Sequence, residues 1–232
     1  MKEMQNIKVI AFDADDTLWE NEIFFREAEA RLAELLSGYA EKEIVDDKLL
    51  DYEVKNIPLY GFGVKNFILS GIQTAIDVTG GTVTSDKIEK VIEIGNDILS
   101  KPVILLNDVK EMIPEISKSY KIVLATKGDL LDQQRKLKKS GLMDYFEHVE
   151  VMSDKKTGDY SALVKKLNIE PSELLMIGNS LKSDILPVLE LGGKAVHIPF
   201  HTTWAHELVE EKDLAGKDFI QLETFKQLQE IL

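Results

Sequence analysis

Five short runs of apolar, largely β-branched residues stand out along the chain: Ile7–Phe12, Ile122–Ala125, Val149–Met152, Leu174–Ile177 and Ala195–Ile198. Each is the length of a strand, and none alternates strictly with polar residues, the pattern of strands covered on both faces. Helical periodicity separates the last four. Asp129 stands where it would N-cap a helix carrying Leu130, Leu131 and Leu137 and closed by Gly141. Tyr160, Leu163, Val164 and Leu167 follow the i, i+3, i+4, i+7 spacing of one buried helix face. Ile185 to Leu191 predicts a further helix, with Pro187 in its first turn and Gly192-Gly193 after it. Strands alternating with helices predict an α/β fold with a parallel sheet flanked by helices.

The stretch from Asn21 to about Leu106 breaks this rhythm. Its clearest pieces, FFREAEARLAELLSGYA and SDKIEKVIEIGNDILS, are amphipathic helices, and the turn-rich Pro58-Leu59-Tyr60-Gly61-Phe62-Gly63 lies between them. The reading is a core made of residues 1–19 and 107–232, with a helical domain of residues 20–106 inserted after the first strand. Tyr60 to Gly63, with Lys65, is a candidate substrate-facing loop. Phe219 to Leu232 reads as a last short strand and helix.

Composition narrows the functional classes. The 232 residues include no cysteine, which excludes disulfides and thiolate metal sites. The net charge of −13 and the lack of a basic stripe argue against nucleic acid as a partner. The densest basic run, Arg135-Lys136-Leu137-Lys138-Lys139, reads as a solvated helix face. No apolar run reaches the ~18 residues of a membrane span, and the N-terminus lacks a secretory pattern, so a soluble, cytoplasmic protein is expected. Oligomeric state is not legible.

The chemistry gathers at the ends of the strands. The first ends in Phe12-Asp13-Ala14-Asp15-Asp16-Thr17. Acids crowded at the carboxyl edge of a parallel sheet repel one another unless a cation joins them, and ligands of such sheets bind at this edge. The second strand ends in Thr126-Lys127-Gly128, where a hydroxyl, an ammonium and a glycine amide make an anion cradle before a helix. Lys155-Lys156 follow the third strand, and Gly178-Asn179 with Asp184 follow the fourth. His197, His201 and His206 lie along the segment leaving the fifth. His197 reads as a hydrogen-bonded strand residue. His201, His206 and Glu207 are conceivable metal ligands but lack a zinc-site spacing, and a rim of the site is the better reading.

These four motifs, in this order, resemble those of the haloacid dehalogenase-like hydrolase superfamily. The resemblance implies a Rossmann-like core and a helical cap that closes over the site and chooses the substrate. It implies Asp13 as nucleophile, Asp15 as general acid/base and Thr126 as the hydroxyl that holds the phosphoryl group. It takes Lys156 as the cation beside the nucleophile, with Lys155 the alternative. Thr126, Lys127, Gly128 and Lys156 would bind the phosphate. Mg²⁺ would be held by Asp13, the Asp15 carbonyl, Asp184 and Asn179, the last standing where an aspartate is common. The expected activity is a Mg²⁺-dependent phosphatase acting on a small phosphate ester through an aspartyl-phosphate. Asp15 favours this over a dehalogenase, since halide leaves without a proton and an alkoxide does not. A phosphomutase shares the covalent step. A phospho-aspartate signalling or interaction module is the non-enzymatic alternative, but a receiver domain predicts its phosphoacceptor at the third strand and no inserted cap.

Overall fold

The computed structural model describes residues 6–232; residues 1–5, where the N-terminal stretch read above begins, lie outside the described residues. Six parallel strands form one sheet in the order β3-β2-β1-β4-β5-β6. They are β1 (Val9–Phe12), β2 (Lys121–Lys127), β3 (His148–Met152), β4 (Leu174–Gly178), β5 (Lys194–His197) and β6 (Ile220–Gln221). The order runs outward from β1 in one direction through β2 and β3. It then reverses through β4, β5 and β6, so the switch point lies at β1. The crevice at such a switch point, beyond the carboxyl ends of the strands, is the ligand position of open α/β sheets.

Alternate residues of β1 sort onto two layers. Ile10 and Phe12 pack with Ile122, Leu124, Leu175, Ile177 and Val196, while Val9 and Ala11 pack with Val123, Ala125, Leu174 and Met176. Both faces are therefore covered, which is why these strands read as continuous apolar runs. Phe12 is clasped by Phe146 and Phe225, with ring centroids 6.4 and 5.7 Å away. The flanking helices are α5 (Val109–Ser117), α6 (Leu130–Ser140), α7 (Thr157–Leu167), α8 (Leu186–Leu191), α9 (Glu211–Leu214) and α10 (Leu228–Ile231). A wide π-type turn, Leu181–Ile185, runs directly into α8, so this helical stretch starts earlier than the periodicity predicts. In α6 Leu130 and Leu131 are exposed, and the buried residues are Gln133 and Leu137.

The sheet and these helices form one compact unit, which contains the chain through Glu22, Val103–Lys127 and Gln133–Leu232. A second unit comprises Ile23–Pro102 and Gly128–Asp132. It is built on α1 (Glu22–Leu36), α2 (Lys42–Tyr60), α3 (Val64–Val78) and α4 (Ser85–Ser100). Phe24, Leu32, Leu36, Leu49, Phe67, Val91 and Ile94 belong to its own core. Helix α2 continues through Pro58, which the sequence reading gave to a turn, and stops at Gly61 with φ 72°. Proline there removes a donor only in the last turn, and Val54, whose carbonyl loses it, is on an exposed face. Within this unit Lys65 pairs with Asp129 at 2.6 Å. Among the described residues no helix is long and apolar enough to cross a membrane.

Helices α3 and α4 approach closely at Gly95, where an added Cβ would lie 2.1 Å from Cγ1 of Ile68. Alanine would gain up to about 1 kcal/mol of helix propensity. The overlap costs more, about 1–3 kcal/mol in a packed core. Gly95→Ala is expected to lower the urea midpoint, and an unchanged or raised midpoint would contradict this packing.

Candidate active site

Strand β1 delivers Asp13 to the switch point, where its N–H donates to the Ile177 carbonyl of β4 at 2.9 Å. The chain then turns sharply. The Leu18 N–H donates to Ala14 O at 2.8 Å, and Asp16 sits in the left-handed region at φ 61°. The Asp16 carboxylate accepts the Asn21 and Glu22 N–H groups at 2.8 and 3.0 Å, capping the start of α1. Burial and the neighbouring Asp15 push its pKa up to about 8 against the pull of those two donors. Of the three acids in the motif, this one belongs to the turn.

The buried centre of the site is a charge triad. The Lys155 ammonium touches Asp13 Oδ1 and lies 2.6 Å from Asp184 Oδ1. Lys155 is 3% exposed and Asp184 0%. Burial raises the Asp13 carboxyl above its ordinary range, with Lys155 opposing. Burial also works against the Lys155 charge, but the two carboxylates outweigh it and hold the ammonium above its usual value. Lys156, the residue chosen from the sequence, is corrected here. Its N–H is tied to Asp159 at 3.0 Å as the cap of α7, and its side chain, 78% exposed, pairs with Asp154. The start of α7 fixes which of the two lysines turns inward.

The fourth motif is folded around Asp184. Its Oδ2 accepts the Ser180 N–H at 3.0 Å and presses against Gly178, where an added Cβ would sit 2.2 Å away. Only glycine fits there. The Tyr160 hydroxyl donates to Ser183 O at 3.0 Å and steadies the same turn. Both Asp184 oxygens thus have protein partners, and its charge serves Lys155.

The Thr17 hydroxyl accepts the Asn179 N–H at 3.1 Å and lies 3.1 Å from Asn179 Oδ1 and 3.3 Å from Asp13 Oδ2. A carboxylate and an amide oxygen therefore face one point. His197 is buried on β5, its Nε2 3.0 Å from the Asn179 carbonyl and its Nδ1 3.3 Å from Gln221 Oε1. Donation to that carbonyl fixes the backbone of Asn179. These oxygens, with the main-chain carbonyl of Asp15, are the hard donors Mg²⁺ takes, so the residues present fit such a cation. No group of three or more His, Cys, Asp or Glu side chains gathers as a metal site among the described residues. A cation here would rely on the Asp13 carboxylate with amide and main-chain oxygens. Thr126 is fully buried at the end of β2. Gly128 follows with φ 128°, a conformation that favours glycine.

Two clusters escaped the sequence reading. Asp15 accepts the Trp19 indole N–H at 2.7 Å, the Gln133 amide at 2.8 Å and the Lys136 ammonium at 2.6 and 2.8 Å. Lys136 is therefore no part of a solvated face, and the signal for it was the polar Gln133 four residues before buried Leu137. The Lys127 ammonium, expected on phosphate, touches Glu207 and donates to Ser183 Oγ at 2.9 Å. The other Glu207 oxygen accepts the Ser180 and Ser183 hydroxyls. Burial opposes the charge of Glu207, but Lys127 and these hydroxyls pull its pKa down to about 2. Glu207 is thus bound to a lysine and two serines. His201 lies 2.8 Å from Thr202 Oγ1, and the His206 ring packs against Trp204 at a tilt of 52°.

The chain matches haloacid dehalogenase-like hydrolases over residues 7–192. It is 25% identical to N-acylneuraminate-9-phosphatase of Mus musculus, over 83% of this chain and 82% of that one. It is 24% identical to glyceraldehyde 3-phosphate phosphatase of Methanothermobacter thermautotrophicus, over 97% and 100% of the two chains. Among solved structures, a haloacid dehalogenase-like family hydrolase from Xanthomonas campestris superposes with a TM-score of 0.81. The two are 38% identical over 88% of this chain and 86% of that one.

Lys155→Met leaves two buried carboxylates without their cation and is expected to cost about 3–5 kcal/mol in urea unfolding. Lys156→Met is expected to leave the midpoint unchanged, and the reverse ranking would contradict the placement of the two lysines. Because the folded pKa of Glu207 lies below its ordinary 4.5, its contribution is present above that pH and lost as pH falls toward about 2. Glu207→Gln is expected to lose less stability than wild type between about pH 5 and pH 3. Parallel losses in the two proteins would contradict the ion pair.

Proposed function

The chain belongs to the haloacid dehalogenase-like hydrolase family, and within it we propose that this protein is a Mg²⁺-dependent phosphatase of small phosphate monoesters, with Asp13 as covalent nucleophile. The observation that carries the reading is Asp13 held against Lys155 at the switch point, with a second carboxylate, Asp15, two residues on. An Asp13 oxygen attacks phosphorus, and the bond from phosphorus to the ester oxygen breaks. Asp15 gives its proton to the departing alkoxide, then takes one from the water that attacks the aspartyl-phosphate and frees Asp13. The Thr126 hydroxyl and the Lys155 ammonium hold phosphoryl oxygens, where charge sits in phosphoryl transfer. Lys155 also keeps Asp13 oriented and anionic.

Asp13, the Asp15 main-chain carbonyl and Asn179 would hold Mg²⁺, which offsets the repulsion between an incoming phosphate and the carboxylates. Asp184 acts through Lys155. The proton carrier at Asp15 supports ester hydrolysis over dehalogenation, because an alkoxide needs a proton to leave. Two relatives named as phosphatases of small phosphorylated compounds support the same substrate size.

Hydrolysis of p-nitrophenyl phosphate with Mg²⁺ tests the reading. Turnover is expected in wild type, to vanish with EDTA, and to fall at least about a thousandfold in folded Asp13→Asn. Wild-type-like turnover in that variant would overturn the nucleophile assignment.

A further inference from the structure

Glu207 enters the catalytic edge from outside the four motifs, on the short turn Ala205–Glu207 after β5. Its side chain is 11% exposed, and both carboxylate oxygens are engaged. One meets the Lys127 ammonium, and the other accepts the hydroxyls of Ser180 and Ser183, the latter at 2.6 Å. Lys127 closes the ring by donating to Ser183 Oγ at 2.9 Å. These partners belong to two strand ends. Lys127 ends β2, and the serines lie in the stretch that follows β4. Strand β1, which carries Asp13, runs between β2 and β4.

Stability alone does not account for this carboxylate. Taking an ion pair out of water costs about as much as the pair returns, and apolar side chains of similar volume often serve as well. What Glu207 supplies is direction. A serine hydroxyl has one proton to give. Ser180 gives its proton to Glu207, and its oxygen accepts the Ser183 N–H at 3.0 Å. Ser183 gives its proton to the same Glu207 oxygen and accepts Lys127. Both hydroxyls are thereby fixed, one at the entry of the π-type turn Leu181–Ile185 and one at its middle. Such wide turns are rare.

Ser180 is the hub of the turn. Its N–H donates to Asp184 Oδ2 at 3.0 Å, and its carbonyl accepts the Asp184 N–H at 2.8 Å. It shares a peptide with Asn179, whose carbonyl is held by His197 and whose Oδ1 faces the Thr17 hydroxyl beside Asp13. We infer that Glu207 is a positioning residue for the cation site: by fixing the Ser180 and Ser183 hydroxyls it sets the turn from which Asn179 presents its amide oxygen. The inference rests on the proposed Mg²⁺ site at Asp13 and Asn179. Glu207 acts on it through Ser180, one peptide away.

Mg²⁺ binding to the folded protein, followed by isothermal titration with MgCl₂ and no substrate, reads this role. A residue that orients a metal ligand contributes roughly ten- to a hundredfold in metal affinity. Glutamine has one acceptor oxygen where the carboxylate has two, so Glu207→Gln gives up either Lys127 or the serines. Glu207→Gln and Ser180→Ala are each expected to raise the Mg²⁺ Kd about tenfold. The double variant is expected to bind no more weakly than the weaker single one, because both changes remove the same contact. Glu207→Asp keeps the charge but falls one methylene short of the serines, and it is expected to raise the Kd as well, whether or not Glu207→Gln folds. An unchanged Kd in Glu207→Asp would overturn the inference. So would losses that multiply in the double variant, since Glu207 would then act by its charge and not through Ser180. A wild type that binds no Mg²⁺ would take down the proposed cation site and this inference together.

Discussion

A single ammonium group holds the catalytic edge of the sheet together. Lys155 lies buried between Asp13 at the end of β1 and Asp184 in the turn after β4. Two carboxylates this deeply buried cannot both stay charged without a cation between them, and removing one member of such a set strands the others. The surroundings answer to that constraint. Gly178 has no side chain because the Asp184 carboxylate occupies its place, and the Ser180 N–H takes the second Asp184 oxygen. The π-type turn brings Asp184 round to meet both, and Tyr160 secures the carbonyl of Ser183 within it.

The acids after β1 are chemically alike and are separated by their partners. Asp13 faces the buried lysine. Asp15 faces an indole, an amide and a second lysine, and Asp16 faces two backbone N–H groups at the start of α1. Three carboxylates within four residues are thus distinguished by the donors that reach them, and the proposed mechanism gives attack to the first and proton transfer to the second, while the third caps a helix. Lys127 and Glu207 add a neutralised pair beside the fourth motif, so the local charge left over is small and negative. That remainder suits a divalent cation and an anionic substrate arriving together.

The core strands were legible because both their faces are covered, which turns each into an unbroken apolar run. The motif residues were legible because strand ends and glycines punctuate the chain. The sequence did not decide between Lys155 and Lys156, since that depends on the residue at which α7 begins. It hid Lys136 inside a basic run, because a dense run of lysines and arginine reads as a solvated helix face whichever of its members turns inward. The Lys127–Glu207 pair spans 80 positions, a distance over which no local pattern operates. Pro58 misled in the other direction, because a helix tolerates proline in a last turn whose freed carbonyl sits on an exposed face.

The central claim is that Asp13 carries the phosphoryl group. The most direct measurement is acid-quench trapping of the enzyme during turnover of a phosphate ester, followed by mass-spectrometric location of the phosphoryl group. Asp15→Asn would be run beside wild type to slow hydrolysis of the intermediate. The account predicts an acyl phosphate on Asp13 that accumulates further in the Asp15 variant. A phosphoryl group on any other residue, or turnover with none trapped in either protein, would contradict it.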